Sequence, residues 1–304
     1  MRDSLNIAVL IPCYNEEKTI GLVIKSFQEH LPSSKIYVYD NCSSDQTNSV
    51  ARDAGAIVYH EPNKGKGNVV RRMFSDIDAD VYIMVDGDAT YDASVVNSMI
   101  DKLVSEKLDS VVAVRKATSD DAYRGGHVLG NKMITGLVSL MFERGFTDML
   151  SGYRAMSKRF VKSFPATSSG FEIETEITIH SLQLKVPFGE IETKYDARPE
   201  GSQSKLSTWN DGFRILKMII FLLKEQKPFY FFGVFFLFFS ILSIWFAFPV
   251  IMMWIHTGLV PRLPTALLST GLMILAFLSI TLGIILDSVS RARLEMKRLQ
   301  YLRF

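Results

Sequence analysis

Val81-Tyr82-Ile83-Met84-Val85 runs directly into Asp86-Gly87-Asp88. A short apolar and aromatic run bounded by acidic residues has the composition of a buried strand, which places the Asp-Gly-Asp triplet at its C-terminal end. Two carboxylates one residue apart can turn toward a single divalent cation. Hard cations such as Mg2+ and Mn2+ take oxygen ligands and bridge phosphates. By itself the triplet is equally the composition of an acidic turn, so its meaning depends on what surrounds it.

Working outward, short apolar runs over residues 6–12, 35–40, 56–60, 80–86 and 110–115 predict strands. Amphipathic stretches over 17–30, 45–54, 67–74 and 94–107 predict the helices between them. This is a βαβ pattern, and it implies a mostly parallel sheet covered by helices on both faces. Ligands of such sheets bind beyond the C-terminal strand ends. Polar residues gather there: Tyr14, Asn15 and Glu16 after the first strand, Asp40 and Asn41 after the second, Asp86 and Asp88 after the fourth. Asn15 and Glu17 also suit a helix start, and the segment 40–45 suits a turn and cap. Asn63-Lys64-Gly65-Lys66-Gly67-Asn68 puts flexible backbone and two ammonium groups at a helix start, which favours phosphate. It lacks the Walker spacing, which argues against a P-loop NTPase. Farther on, helices are expected over 128–143, with Met133, Leu137, Leu140 and Met141 in the core, and over 172–183, followed by a strand over 187–195.

Charge divides the chain. Between Phe229 and Leu286, 58 residues carry one charged side chain, Arg262. Residues 1–228 hold 28 basic and 30 acidic groups, net −2, and residues 287–304 hold five and two, net +3. A folded domain without basic excess argues against nucleic-acid binding. Two cysteines, Cys13 and Cys42, are too few for a disulfide framework and suit a reducing compartment. The first apolar run, ended by Pro12, is too short for a signal peptide. Residues 229–255 and 263–286 are each long enough to cross the roughly 30 Å of a bilayer core, and the short connection between them forces an antiparallel hairpin. Before them, residues 207–227 predict an amphipathic helix with Trp209, Phe213, Ile219, Ile220, Leu222 and Leu223 apolar and Arg214, Lys217 and Lys224 in one arc. Such a helix either packs on the domain or lies in the membrane interface, and the span that follows favours the interface. Cations at Lys224 and Lys227 and in the tail put both chain ends on the cytoplasmic side.

Taken together and in this order, the segments 11–17, 40–45, 63–67, 86–88 and Ser151-Gly152-Tyr153-Arg154 resemble the glycosyltransferase family 2 catalytic domain over about residues 6–206. The resemblance implies a GT-A fold: a Rossmann-like α/β sheet with helices on both faces, here followed by the interfacial helix and the transmembrane hairpin. Within that family the chain is most similar to polyprenyl-phosphate glycosyltransferases of the dolichyl-phosphate mannose synthase and bacterial glucosyl-carrier type. Val114-Arg115 resembles their Arg-bearing strand end and 148–154 their Asp-Xaa-Xaa-Ser-Gly-Phe/Tyr-Arg segment. Residues 198–205 resemble their Arg-Xaa-Xaa-Gly-Xaa-Ser-Lys segment, with one residue more.

The resemblance implies that Pro12, Tyr14, Asn15, Glu16, Asp40, Asn41, Lys66, Asp86 and Gly87 bind a nucleotide sugar, with a UDP-sugar favoured. It assigns Asp88, with Asp86, to a Mg2+ or Mn2+ ion. Arg115, Arg154, Arg198 and Lys205 form a cationic cradle for the carrier phosphate or the leaving diphosphate. Where the dolichyl enzymes commonly carry Gln two residues after the second Asp, this chain has Thr90, which leaves the third metal ligand open. The implied reaction is an inverting transfer from the nucleotide sugar to polyprenyl phosphate by a membrane enzyme, with a homo-oligomer built through the spans. Two alternatives stand beside it: a processive polysaccharide synthase, and a membrane partner that binds a nucleotide sugar without turnover.

Overall fold

The computed structural model describes residues 5–117, 136, 142, 145–170, 172–196 and 220–304. Most of the helix expected over 128–143 lies outside these residues, as do Arg198, Lys205 and residues 207–219 of the amphipathic stretch. Residues 220–226 are helical.

The first unit comprises residues 1–212 and 297–304. Its chain order is β1 (Ile7–Cys13), α1 (Ile20–His30), β2 (Lys35–Asp40), α2 (Thr47–Asp53), β3 (Ile57–His60), α3 (Lys66–Asp76), β4 (Val81–Met84), α4 (Val96–Ser105) and β5 (Ser110–Ala117). Then follow β6 (Arg154–Ser157), α5 (Lys158–Ser163), α6 (Ile173–Leu184) and β7 (Phe188–Tyr195). The strands make one seven-stranded sheet, ordered β3-β2-β1-β4-β6-β5-β7. β1 to β4 pair in parallel, as the alternation of strands and helices predicts, and so do β5 and β7. β6 was not legible and runs antiparallel between β4 and β5. It has only four residues and begins with an arginine of zero exposure, so it shows no apolar run.

β1 is buried along nearly its whole length, the mark of a central strand covered on both faces. On one face Val9, Ile11, Val38, Ile83 and Val85 meet Ile20, Ile24 and Phe27 of α1 and Met99 and Ile100 of α4 in one cluster. Each such side chain contributes about 1.5–3 kcal/mol on burial. Register then positions the site. Cys13 lies opposite Asp40, Asp40 opposite His60, and Leu10 opposite Met84, so the polar residues after β1, β2 and β4 leave the sheet at one edge.

The second unit, residues 213–296, contains α7 (Pro228–Thr257) and most of α8 (Leu263–Leu302). The two helices are antiparallel: the Ser243 hydroxyl donates to the Ser269 carbonyl at 2.7 Å and the Phe236 and Phe277 rings lie 6.1 Å apart, while Arg293 of α8 pairs at 2.9 Å with Glu225, which precedes α7. Both are long and apolar enough to cross a membrane, and only 11% of each apolar window is buried, unlike the core helix of a soluble protein. The residues read as a basic tail continue α8 as helix.

The last residues of α8 belong to the first unit, where the Tyr301 hydroxyl donates to Asp109 Oδ2 at 2.7 Å. Asp109, fully buried at the start of β5, also accepts from Ser157 at 2.6 Å and from Arg159 through two bonds at 2.5 and 2.7 Å.

Candidate active site

The loops after β1 and β2 hold each other. The Asn15 amide N–H donates to the Ser43 hydroxyl at 2.9 Å, and its side-chain oxygen accepts from the Ser44 N–H at 2.8 Å. Glu16 N–H donates to the Thr47 hydroxyl at 2.8 Å, and Glu17 accepts from the Gln46 N–H at 2.9 Å. Asn15 and Glu17 therefore tie two loops together, and neither caps α1. The residue before α1 is Thr19, whose hydroxyl donates to the Gly87 carbonyl at 2.7 Å and so links this edge to the Asp86–Asp88 turn.

Asn41 extends the stitching to the third loop. Its side chain accepts from the Gly65 N–H at 2.7 Å and donates to the Asn63 carbonyl at 2.8 Å. Asp40 is buried, accepts from the Ser43 N–H at 3.3 Å and lies 3.5 Å from His60 Nδ1. Tyr14 leaves 37% of its surface exposed, with the Lys64 ammonium 5.8 Å from its ring, and offers an open aromatic face beside buried hydrogen-bonding groups. That combination suits a planar base. Pro12 is partly buried just below it, and Glu16 is buried.

Asp86, Gly87 and Asp88 leave β4 as the sequence predicts. Asp88 is buried, and its Oδ1 accepts from the Thr90 hydroxyl at 2.6 Å and from the Thr90 N–H at 3.3 Å. Thr90 therefore fixes the second carboxylate of the triplet. Between them Ala89 is held at φ 56°, a left-handed conformation that costs a non-glycine residue roughly 1–2 kcal/mol.

Asp86 Oδ1 receives the Lys66 ammonium at 2.5 Å, and Glu174 of α6 holds the same ammonium from the other side. Burial alone would lower the Lys66 pKa; the Asp86 and Glu174 carboxylates outweigh it and hold the ammonium above its ordinary range. The loop carrying Lys66 depends on Gly65, at φ +129°, where a Cβ would collide with the Ser169 carbonyl oxygen. On the other side of Asp86, Gly152 packs so closely that a Cβ there would overlap the carboxylate.

The expected cradle divides. Arg115 makes two bonds of 2.7 Å to the buried Asp148 carboxylate, and its guanidinium lies 5.4 Å from the Tyr195 ring. Burial opposes its charge, but Tyr91 and Asp148 hold it protonated well above the usual arginine range. Arg154 is different: fully buried, it donates to the Ser151 carbonyl at 3.0 Å, the Met149 carbonyl at 2.7 Å and the Thr178 hydroxyl at 2.9 Å. Burial lowers its pKa to about 10. It binds the turn that carries Gly152 from within, so the structure does not place it on an open phosphate surface. Tyr91, not singled out in the sequence, accepts from the Gly152 N–H at 2.9 Å and packs on Tyr195, closing the same side of Asp86. Glu174 was also missed. In Phe171-Glu172-Ile173-Glu174-Thr175-Glu176 three glutamates alternate, and only the structure shows that Glu172 is exposed and Glu174 buried.

Asp86 and Asp88 supply hard oxygen donors at a strand exit, and among the described residues no cluster of three His, Cys, Asp or Glu side chains forms a complete protein cage. That donor set fits a Mg2+-like ion bound through one or two carboxylates and completed by substrate phosphates and water.

Comparison with known proteins identifies the family and the fold. The family model for "Glycosyl transferase family 2" matches residues 8–164. Protein RfbJ of Shigella flexneri is 58% identical over 128 residues, 42% of this chain and 99% of that one. Glycosyltransferase AglJ of Haloferax volcanii is 34% identical over 229 residues, 75% of each chain. A dolichyl-phosphate hexose transferase of the same organism is 24% identical over 222 residues, 73% of this chain and 96% of that one. Among solved structures, glucosyl-3-phosphoglycerate synthase from Mycobacterium tuberculosis, in complex with Mn2+, uridine diphosphate and phosphoglyceric acid, shares the fold with a TM-score of 0.60. It is 22% identical and covers 73% of this chain and 79% of that one. The chain, with its GT-A-like sheet and its Asp-Gly-Asp strand exit, belongs to glycosyl transferase family 2.

Proposed function

We propose that this glycosyltransferase moves one sugar from a nucleotide sugar, UDP-linked in preference, to polyprenyl phosphate at a membrane surface. The observation that carries the reading is a nucleotide-type strand edge, with Asp86 and Asp88 at its centre, in a chain that also has an apolar helical hairpin. The dolichyl-phosphate relative supports the acceptor, and the Mn2+ and uridine diphosphate of the structural neighbour support the donor and the metal.

The chemistry suits these residues. A phosphate monoester has a second pKa near 6, so at neutral pH the carrier oxygen is largely anionic and needs no strong general base. The site must instead hold two anionic reactants together and offset charge on the leaving diphosphate. A divalent ion held by Asp86 and Asp88 would supply that neutralisation. Asn41, Asp40 and Tyr14 would orient the nucleoside, Lys66 lies within reach of the diphosphate, and Arg115, oriented by Asp148, would meet the carrier phosphate. Attack on the anomeric carbon from the side opposite the diphosphate inverts its configuration. An antiparallel hairpin returns the chain to its side of entry, and the cations flanking it support the cytoplasm as that side.

Membranes containing the protein, incubated with labelled UDP- or GDP-sugars and undecaprenyl or dolichyl phosphate, should yield a chloroform-soluble, acid-labile product. A water-soluble polymer would instead identify a processive synthase. No product with any donor would leave a binding protein.

A further inference from the structure

Lys66 Nζ sits between two carboxylates from distant parts of the chain: Asp86 Oδ1, at 2.5 Å, and Glu174 Oε1. Their exposures differ. The Glu174 side chain is 7% exposed, Lys66 11% and Asp86 28%. The ammonium thus reaches the open strand edge at Asp86, while Glu174 holds it from the protein side. An ammonium and a divalent cation drawn to one carboxylate repel each other, so Lys66 and a metal compete for Asp86. A lysine whose only partner was Asp86 would lose that partner to the metal, and a buried ammonium without one is costly. Glu174 is the second partner. Glu174 also supports the charge of Arg154, which is fully buried and has no hydrogen-bond partner at Nη1 among the described residues. Glu174 therefore anchors the ammonium from the buried side while Asp86 holds it at the edge of the site.

We propose that Glu174 is a positioning residue for donor binding and that Lys66 is an exchangeable cation. Lys66 neutralises Asp86 in the donor-free site; with Asp86 serving as a metal ligand, Lys66 would stay tethered by Glu174 and would turn its remaining N–H bonds to the diphosphate. This rests on the nucleotide-sugar reading of the site. It requires metal and nucleoside diphosphate to bind synergistically, because each removes an obstacle to the other.

The test is Mn2+ titration of the full-length protein by electron paramagnetic resonance, first alone and then with uridine diphosphate. Lys66→Met removes the competing ammonium. It should tighten binding of Mn2+ alone about tenfold and weaken uridine diphosphate binding about tenfold, the scale of one hydrogen bond to a charged group. Glu174→Gln leaves Lys66 with Asp86 as its only carboxylate, so Mn2+ alone should bind several-fold more weakly. The donor KM should rise about tenfold while kcat at saturating donor stays within about twofold. Glu174→Asp, which keeps the charge, should recover most of both losses and guards against a Gln variant that folds poorly. Opposite directions of Mn2+ affinity in Lys66→Met and Glu174→Gln are the signature. A fall in both, or no change in either, overturns the proposal. Opposite shifts in a protein that transfers no sugar would overturn the glycosyl-transfer reading and leave the exchange standing. Sugar transfer with shifts in the same direction would do the reverse.

Discussion

Replacing Arg154 with Met separates two roles that the sequence could not distinguish. The side chain has zero exposure and donates three hydrogen bonds, of 3.0, 2.7 and 2.9 Å, to the Ser151 and Met149 carbonyls and the Thr178 hydroxyl. Bonds from a charged donor contribute roughly 1.5–3 kcal/mol each, but ion burial offsets much of that, as Nη1, without a partner among the described residues, illustrates. Met restores apolar volume but leaves the Ser151 carbonyl short of a donor and the Met149 carbonyl with the Thr178 hydroxyl at 3.2 Å, so a net loss of about 2–3 kcal/mol is expected. Urea unfolding of the full-length protein in detergent, followed by tyrosine fluorescence, should show a lower midpoint. Donor and acceptor KM values should rise together, because the turn under Asp86 loosens as a whole. Lys should not rescue the variant, since an ammonium cannot reproduce the planar fork. An unchanged midpoint with a rise confined to the acceptor KM would instead return Arg154 to the phosphate cradle.

Three further outcomes follow from other contacts. Thr90→Val removes the 2.6 Å bond to the buried Asp88 and should weaken Mn2+ binding in the presence of uridine diphosphate by about tenfold, with Thr90→Ser close to the parent; equal binding by all three would show that Thr90 does not set the carboxylate. His180, packed between Phe160 and Phe164 and bonded to Ser163, has its pKa lowered by burial to about 3, with Lys297 adding to the effect. The unfolded chain therefore binds the proton first, stability falls as pH drops below about 6.5, and roughly 2 kcal/mol is lost by pH 5; His180→Gln should flatten that part of the urea-midpoint profile. Tyr301→Phe deletes the 2.7 Å bond to Asp109 and should cost about 1–2 kcal/mol by the same unfolding measurement, and an unchanged midpoint would mean that the end of α8 does not brace β5.

Much of this architecture is legible because it is repetitive. β1 to β4 announce themselves by apolar runs and α1, α3 and α4 by their periodicity, and parallel pairing then brings Tyr14, Asp40, Asn41, Asp86 and Asp88 to one edge. The hairpin is legible from the near absence of charge. What escapes is set by tertiary contact. β6 is too short to show a period and starts on a charged residue whose burial depends on carbonyls from the preceding turn. Arg154 and Arg115 look alike in sequence, yet one is sealed in the core and the other is paired with Asp148 beside Tyr195. Nothing local distinguishes Glu174 from Glu172, because the difference arises from Lys66, more than a hundred residues away. Asn15 and Glu17 have capping chemistry, but a neighbouring loop offers the donors they accept from.

Mass spectrometry of the lipid product tests the proposed transfer of a single sugar onto a carrier phosphate. With undecaprenyl phosphate and the productive nucleotide sugar, the product should carry one added glycosyl unit and a single phosphate per lipid, with nucleoside diphosphate released in equal amount and no product from Asp88→Asn. A lipid carrying two phosphates, which would mean transfer of a sugar phosphate, or several sugars on one carrier, would contradict it.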